Sequence, residues 1–184
     1  PLDGTKVFIY RNGRFCINMA LVEKGKPVFG MIHNVCDGEI LWAFASGEKG
    51  MIKNGREEIF PNAGEKSSKL RVAVSRFHIT EWELRYVDYL KSLGHEVELV
   101  PLGASSKHCM LAKGEVDICP KFGKCSEWDV AAGQVLVEAA GGHVVNAETG
   151  GEIRYNKENM ISPPFVMFGK RVYDEIKEGN KTFL

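Results

Sequence analysis

Apolar and polar residues alternate over the first third of the chain. Phe15, Ile17, Met19 and Leu21 fall at every second position, the period of a half-buried strand. Lys24-Gly25-Lys26-Pro27 reads as a turn. Val28 to Val35 and Glu39 to Ala45 read as two more strands, with Asp37-Gly38 between them as a hairpin signal. Gly47 to Gly50 predicts another turn and Met51-Ile52 a short return, so an antiparallel meander is expected. The polar stretch at residues 61–69, PNAGEKSSK, is the best candidate boundary between a sheet half, residues 1–62, and a second half, residues 70–184.

Beyond that boundary the rhythm changes. Leu70 to Ser75 is a short apolar strand. Trp82, Leu84, Val87, Leu90 and Leu93 recur at near-helical spacing, with Thr80 as N-cap and Gly94 at the C-terminus. Glu96 to Pro101 reads as a strand, Ser105 to Lys113 as a short helix closed by Gly114, and Val116 to Cys119 as a strand. Trp128 to Ala140 is a helix rich in small residues that ends at Gly141-Gly142. His143 to Val145 and Phe165 to Phe168 are strands, and Val172 to Lys177 a last helix. Strands alternating with helices predict a layered α/β half.

Composition narrows the function classes. The chain of 184 residues has 24 Lys+Arg and 24 Asp+Glu, so it lacks the basic excess of a general nucleic-acid binder. Its 44% hydrophobic and 26% charged residues fit a globular protein rather than a disordered or fibrous one. No apolar run approaches the ~20 residues of a membrane span. Five cysteines, Cys16, Cys36, Cys109, Cys119 and Cys125, are odd in number and form no CxxC, so a disulfide framework is not expected and a reducing cytoplasm is. Cys119 and Cys125 have the option of sharing a metal, but no second ligand pair accompanies them, which favours plain thiols.

Three stretches have the residue types for phosphate chemistry. In Pro1-Leu2-Asp3-Gly4-Thr5-Lys6 a carboxylate, a hard oxygen ligand suited to Mg²⁺, adjoins backbone N–H groups able to face a phosphate; the bland reading is an Asp-Gly turn. In Glu127-Trp128-Asp129-Val130-Ala131-Ala132-Gly133, Asp129 opens a helix of small residues. It is either an ordinary N-cap or a second metal carboxylate, and Trp128 reads as core more readily than as function. In Leu102-Gly103-Ala104-Ser105-Ser106-Lys107, and at Lys121 beyond it, small hydroxyl residues and lysines suit a phosphate or sugar hydroxyl, or are surface residues.

Taken in this order, the stretches resemble the magnesium-dependent, lithium-sensitive phosphatase superfamily that includes inositol monophosphatases. Its first motif, Asp-Pro-Leu/Ile-Asp-Gly-Thr, is matched from its Pro onward by residues 1–5. Its second, Trp-Asp-x-Ala-Ala followed by Glu-Ala-Gly-Gly, is similar to Trp128-Asp129-Val130-Ala131-Ala132 and Glu138-Ala139-Ala140-Gly141-Gly142. Arg11-Asn12-Gly13, Phe15 with Asn18, Gly103 to Cys109, Pro120-Lys121-Phe122-Gly123 and Pro163-Pro164-Phe165 resemble the CysQ-like 3′(2′),5′-bisphosphate nucleotidase branch.

The resemblance implies a sugar-phosphatase-type α/β/α/β/α sandwich. It implies two or more Mg²⁺ ions held by Asp3, the Leu2 carbonyl and Asp129. Gly4 and Thr5 would bind the scissile phosphate, Thr5 would help activate water, and Ser105, Lys107 and Lys121 would lie near the nucleoside or its second phosphate. The implied reaction turns 3′-phosphoadenosine 5′-phosphate into AMP and phosphate. Alternatives are an inositol or sugar monophosphatase on the same scaffold and a non-catalytic phosphate-binding fragment. The implied partner is a small phosphorylated nucleotide, and family members are often homodimers.

The departures from the pattern are specific. The family's Asp before the Pro and its upstream Glu pair have no counterpart, so the chain resembles a family member lacking its N-terminal helical segment. Weak or absent turnover by the chain alone and uncovered apolar surface are therefore expected. Lys121 stands where the branch has Arg, which removes bidentate phosphate binding.

Overall fold

The computed structural model describes residues 2–4, 8–9, 15–60, 68–76, 79–173 and 175–176. Six antiparallel strands come first, in spatial order: β1 (Leu2–Asp3), β2 (Cys16–Glu23), β3 (Lys26–Asn34), β4 (Glu39–Phe44), β5 (Lys49–Lys53) and β6 (Arg56–Glu58). The meander is as expected, with β1 and β6 added at its edges. The Asp37-Gly38 connection is not a two-residue hairpin loop. Val35–Asp37 form a 3₁₀ turn, and Gly38 closes it at φ 60°.

Alternation along these strands sends Cys16, Ile32, Leu41, Ala43 and Met51 to one buried face. Met19, Leu21, Phe29, Met31, Trp42 and Phe44 lie on the other, which is apolar and stays partly exposed, Met19 by 56% and Leu21 by 54%.

The second sheet has five strands: β7 (Leu70–Ser75), β8 (Val97–Leu102), β9 (Ile118–Lys121), β11 (His143–Asn146) and β13 (Phe165–Phe168), ordered β11-β13-β9-β7-β8. β7 runs parallel to β8 and β9, while β13 is antiparallel to β9 and β11. A two-stranded ribbon joins β10 (Cys125–Ser126) to β12 (Ile161–Ser162). The helices are α1 (Glu81–Ser92), α2 (Ser106–Ala112) and α3 (Glu127–Ala139). Period-two alternation divides the second sheet between two cores. Val72, Val74, Ile118, Val166 and Phe168 share a core with Tyr86, Val87 and Leu90 of α1. Ala73, Cys119, Phe165 and Met167 share the other with α2, α3 and the first sheet. Among the described residues the layers are therefore sheet, helix pair, sheet and helix, in keeping with the expected layered sandwich.

Two apolar assignments need correction. The buried stripe of α1 is Glu83, Tyr86, Val87 and Leu90. Trp82, Leu84 and Leu93 lie outside it, and the Trp82 ring instead carries the Arg85 guanidinium 5.1 Å from its centroid. Trp128, read as core, is 62% exposed. Residues 61–67 of the expected linker at 61–69 lie outside the described residues, as do 174 and 177 of the last expected helix, where Tyr173, Glu175 and Ile176 are helical.

Small residues let α3 fit between the sheets. A Cβ on Gly30 of β3 would sit 2.4 Å from the Ala132 carbonyl oxygen, and one on Gly133 would sit 2.3 Å from the His108 ring. Helix α3 therefore lies at backbone contact with β3 on one side and carries the His108 imidazole on the other. We expect Gly30→Ala to destabilise the fold by about 1–3 kcal/mol, read from thermal melting.

His108 is fully buried, and neither ring nitrogen has a hydrogen-bond partner among the described residues. Burial first, then the nearby Lys107 charge, brings its pKa down to about 3. An unfolded histidine titrates near about 6.5. Between those values the unfolded chain takes up a proton that the fold refuses, so stability falls as the pH drops through that window. The urea midpoint should decline from pH 6.5 downward, and His108→Phe should flatten the decline. An identical pH profile in that variant would assign the acid sensitivity to other groups.

Candidate active site

Three distant segments converge where β1, the start of α2 and the start of α3 meet. Asp3, in register with Cys16 at the sheet edge, accepts three hydrogen bonds on Oδ2. The Ser105 N–H donates at 2.7 Å, the Ser105 hydroxyl at 2.5 Å and the Asn18 amide at 3.3 Å. The Asn18 amide also donates to Ser105 Oγ at 2.8 Å. The Ser105 hydroxyl lies 3.3 Å from the Asp129 carbonyl as well, so one serine side chain touches both acidic residues.

Asp129 is not the N-cap of its helix. Ser126 is the cap, and Asp129 stands at the third helical position, where its Oδ2 accepts from the Ser126 N–H at 3.1 Å. The Ser-x-x-Asp spacing is the signal that identifies this capping box. The Cys125 thiol also points at the same oxygen, with Sγ 3.8 Å away. Burial pushes the Asp129 carboxyl above its ordinary range; the Ser126 bond opposes the shift and the Asp3 charge adds to it. Burial, with the Asp129 charge, pushes the Cys125 thiol up to about 12, so it is a thiol donor rather than a thiolate.

The other candidate residues are placed unequally. The Leu2 backbone pairs with Ile17. Gly4 has φ 88°, and its carbonyl accepts from the Phe8 N–H at 2.9 Å. Thr5 lies outside the described residues. Ser105 is 2% exposed and its hydroxyl faces Asp3, so the side chain supports a carboxylate. The Lys107 charge reaches Asp129, and the Lys107 and Lys121 charges both act on Cys125. Lys121 Nζ is 3.5 Å from Glu83 Oε1. Glu83 is 1% exposed and also accepts from the Thr80 N–H at 2.5 Å and the Phe122 N–H at 3.4 Å. Reading Lys121 as a ligand contact overlooked this carboxylate, although Thr-x-x-Glu announces it as a capping box. Asn18 enters the sequence reading only through the family resemblance and Cys125 only as a cysteine, neither as a partner of the two aspartates, and Ser126 is not singled out there. Asn18 carried one signal, a polar residue on a strand face that otherwise turns inward.

The donor chemistry fits a hard cation. Mg²⁺ takes oxygen ligands and usually keeps several waters. The Asp3 and Asp129 carboxylates and the Leu2 carbonyl are oxygen donors, and burial, with the Asp3 charge adding to it, opposes ionisation of Asp129, a cost that a cation would relieve. Among the described residues no three His, Cys, Asp or Glu side chains gather as a metal cluster, so any such ion needs further ligands from elsewhere.

A layered sheet–helix–sheet–helix protein with paired carboxylates at the junction of a sheet edge and two helix starts is the class defined by these features. The chain belongs to the inositol monophosphatase family, whose profile matches residues 1–176. The 3′(2′),5′-bisphosphate nucleotidase CysQ of Salmonella typhimurium is 38% identical over 167 residues, covering 90% of this chain and 64% of that protein. The CysQ of Escherichia coli K12 is 36% identical with the same coverage. The crystal structure of Bacteroides thetaiotaomicron CysQ superposes with a TM-score of 0.85 at 35% identity, over 93% of this chain and 68% of that one. Mycobacterium tuberculosis SuhB, at 18% identity and a TM-score of 0.76, matches 100% of this chain and 70% of its own, a likeness of fold. The chain thus spans about 64% of the length of the curated relatives.

Removing the Asp3 charge should let Asp129 ionise more easily. In metal-free protein the Asp129 carboxyl is expected to titrate at lower pH in Asp3→Asn, followed by carboxyl ¹³C NMR. An unmoved titration would mean the two carboxylates do not feel each other.

Proposed function

We propose that this chain serves magnesium-dependent phosphomonoester hydrolysis on a 3′(2′),5′-bisphosphate nucleotide, converting 3′-phosphoadenosine 5′-phosphate to AMP and phosphate. The observation that carries this reading is the meeting of two acidic residues at one buried serine, whose hydroxyl donates to the Asp3 carboxylate and lies 3.3 Å from the Asp129 backbone carbonyl. In this reading Asp3, Asp129 and the Leu2 carbonyl hold two or more Mg²⁺ ions. When bound, the metal supplies charge neutralisation at the phosphate and a more acidic water.

The chain's own residues do the rest. In this reading the backbone N–H groups around Gly4 would face the scissile phosphate, and Thr5 would orient the attacking water. Lys107 adds positive charge beside the carboxylates, which favours a substrate with a second phosphate. The names carried by relatives at 36–38% identity support a nucleotide over an inositol phosphate. Among the described residues no helix is long and apolar enough to cross a membrane. The five cysteines are free, which suits the reducing cytoplasm.

Calorimetry with 3′-phosphoadenosine 5′-phosphate and with inositol 1-phosphate, with and without Mg²⁺, tests the proposal, with phosphate release followed in parallel. The expected result is Mg²⁺-dependent binding that prefers the bisphosphate. Asp129→Asn should weaken it by more than the roughly 10- to 100-fold that supporting residues contribute at metal sites. Preference for the inositol phosphate would reassign the substrate, and binding indifferent to Mg²⁺ would remove the metal from the reading.

A further inference from the structure

We infer that Asn18 and Ser105 form a clamp that fixes the orientation of the Asp3 carboxylate, making Asn18 a positioning residue for a hard cation; this rests on the metal-dependent reading above. Every bond that Asp3 accepts from the described residues ends on Oδ2. A carboxylate oxygen has two lone-pair directions, so three donors saturate it. The plane of the carboxylate is then set, and Oδ1 is left for a cation.

The direction of the clamp follows from its chemistry. An amide nitrogen only donates, so Asn18 Nδ2 gives to Ser105 Oγ at 2.8 Å and to Asp3 Oδ2 at 3.3 Å. The Ser105 hydroxyl donates in turn to Asp3 Oδ2 at 2.5 Å. Turning the Asn18 amide over would set its oxygen against the carboxylate. The orientation that serves Asp3 leaves Asn18 Oδ1 buried without a partner among the described residues. A buried acceptor without a donor is destabilising, because it loses water without gaining a partner. The amide thus serves Asp3 at its own expense, and a water or hydroxyl bound beside Asp3 would supply the donor it lacks.

Asp129 is held in the same manner. Its Oδ2 takes the Ser126 N–H and the Cys125 thiol, and no described residue donates to its other oxygen. Each acid of the pair is therefore fixed through one oxygen and offers the second. Neighbours that orient a metal ligand typically change affinity by about 10- to 100-fold.

Mn²⁺ is the probe, its free-ion EPR signal giving the affinity and its bound spectrum the ligand arrangement. The full chain is compared with Asn18→Ala, Ser105→Ala and the double variant, with urea midpoints recorded without metal. Each single variant should weaken Mn²⁺ binding about 10-fold or more and alter the bound spectrum. The double variant should be little worse than the weaker single, because the two residues act as one unit. Unchanged affinity in both singles, or fully additive losses, would overturn the clamp. If Ser105→Ala does not fold, Asn18→Ala decides alone. A wild-type chain that takes up no Mn²⁺ would overturn the functional reading instead. The clamp is then judged by the metal-free urea midpoints of Asp3→Asn, Asn18→Ala and their combination. Non-additive losses support it, and additive ones overturn it.

Discussion

Everything in this protein depends on α3 fitting between two sheets with no clearance. Gly30 admits Ala132 to backbone contact on one side, and Gly133 makes room for the His108 ring on the other. A helix so confined has little freedom to slide or rotate, because close-packed interiors transmit small displacements rather than absorb them. Its N-terminus therefore arrives at one place, the edge where β1 ends. Glu127 reinforces that placement by accepting the Asn156 N–H at 2.6 Å and a further bond from Lys157 Nζ. The position of Asp129 is thus a product of glycines and alanines well away from it.

Much of this arrangement was legible in the residue pattern. Strands at Leu70–Ser75 and Phe165–Phe168 follow from runs of β-branched and aromatic residues, and both are found with those bounds. The capping Thr80 and the C-terminal glycines Gly94, Gly114 and Gly141, all at positive φ, are local chemistry and could be read locally. The exposure of Trp82 and Trp128 could not, because a large aromatic ring contributes to a helical pattern whichever way it faces. The ribbon of Cys125–Ser126 with Ile161–Ser162 was equally hidden, since two-residue strands carry no periodicity. Among site residues, Asp3 and Asp129 stood out through their motifs. The pairing of Asn18 with Asp3 and of Glu83 with Lys121 became visible only in the fold, because each joins segments far apart in the chain.

The formal charge of zero conceals a divided interior. At one corner the Asp3 and Lys107 charges both act on Asp129, while Lys121 is engaged by the buried Glu83. Elsewhere Asp117 receives Arg71 and Arg171 together, joining β7 to the segment after β13. Partly buried pairs of this kind specify arrangement more than they add stability. At the Asp3–Asp129 corner no such compensation is complete: burial, with the Asp3 charge adding to it, holds the Asp129 carboxyl above its ordinary range. Functional sites are where such imbalance is commonly retained.

The Ser105 bridge also bears on how the chain folds. Asp3 belongs to the first strand, Ser105 to a helix in the middle, and Asp129 to the helix that both sheets enclose. Contacts this distant in sequence form late and slowly, after local hairpins and helices have already appeared. The carboxylate pair is thus assembled only when both sheets have docked on α3. A partly folded chain carries no finished carboxylate pair, so under the proposed metal-dependent reading cation uptake would report the completion of folding.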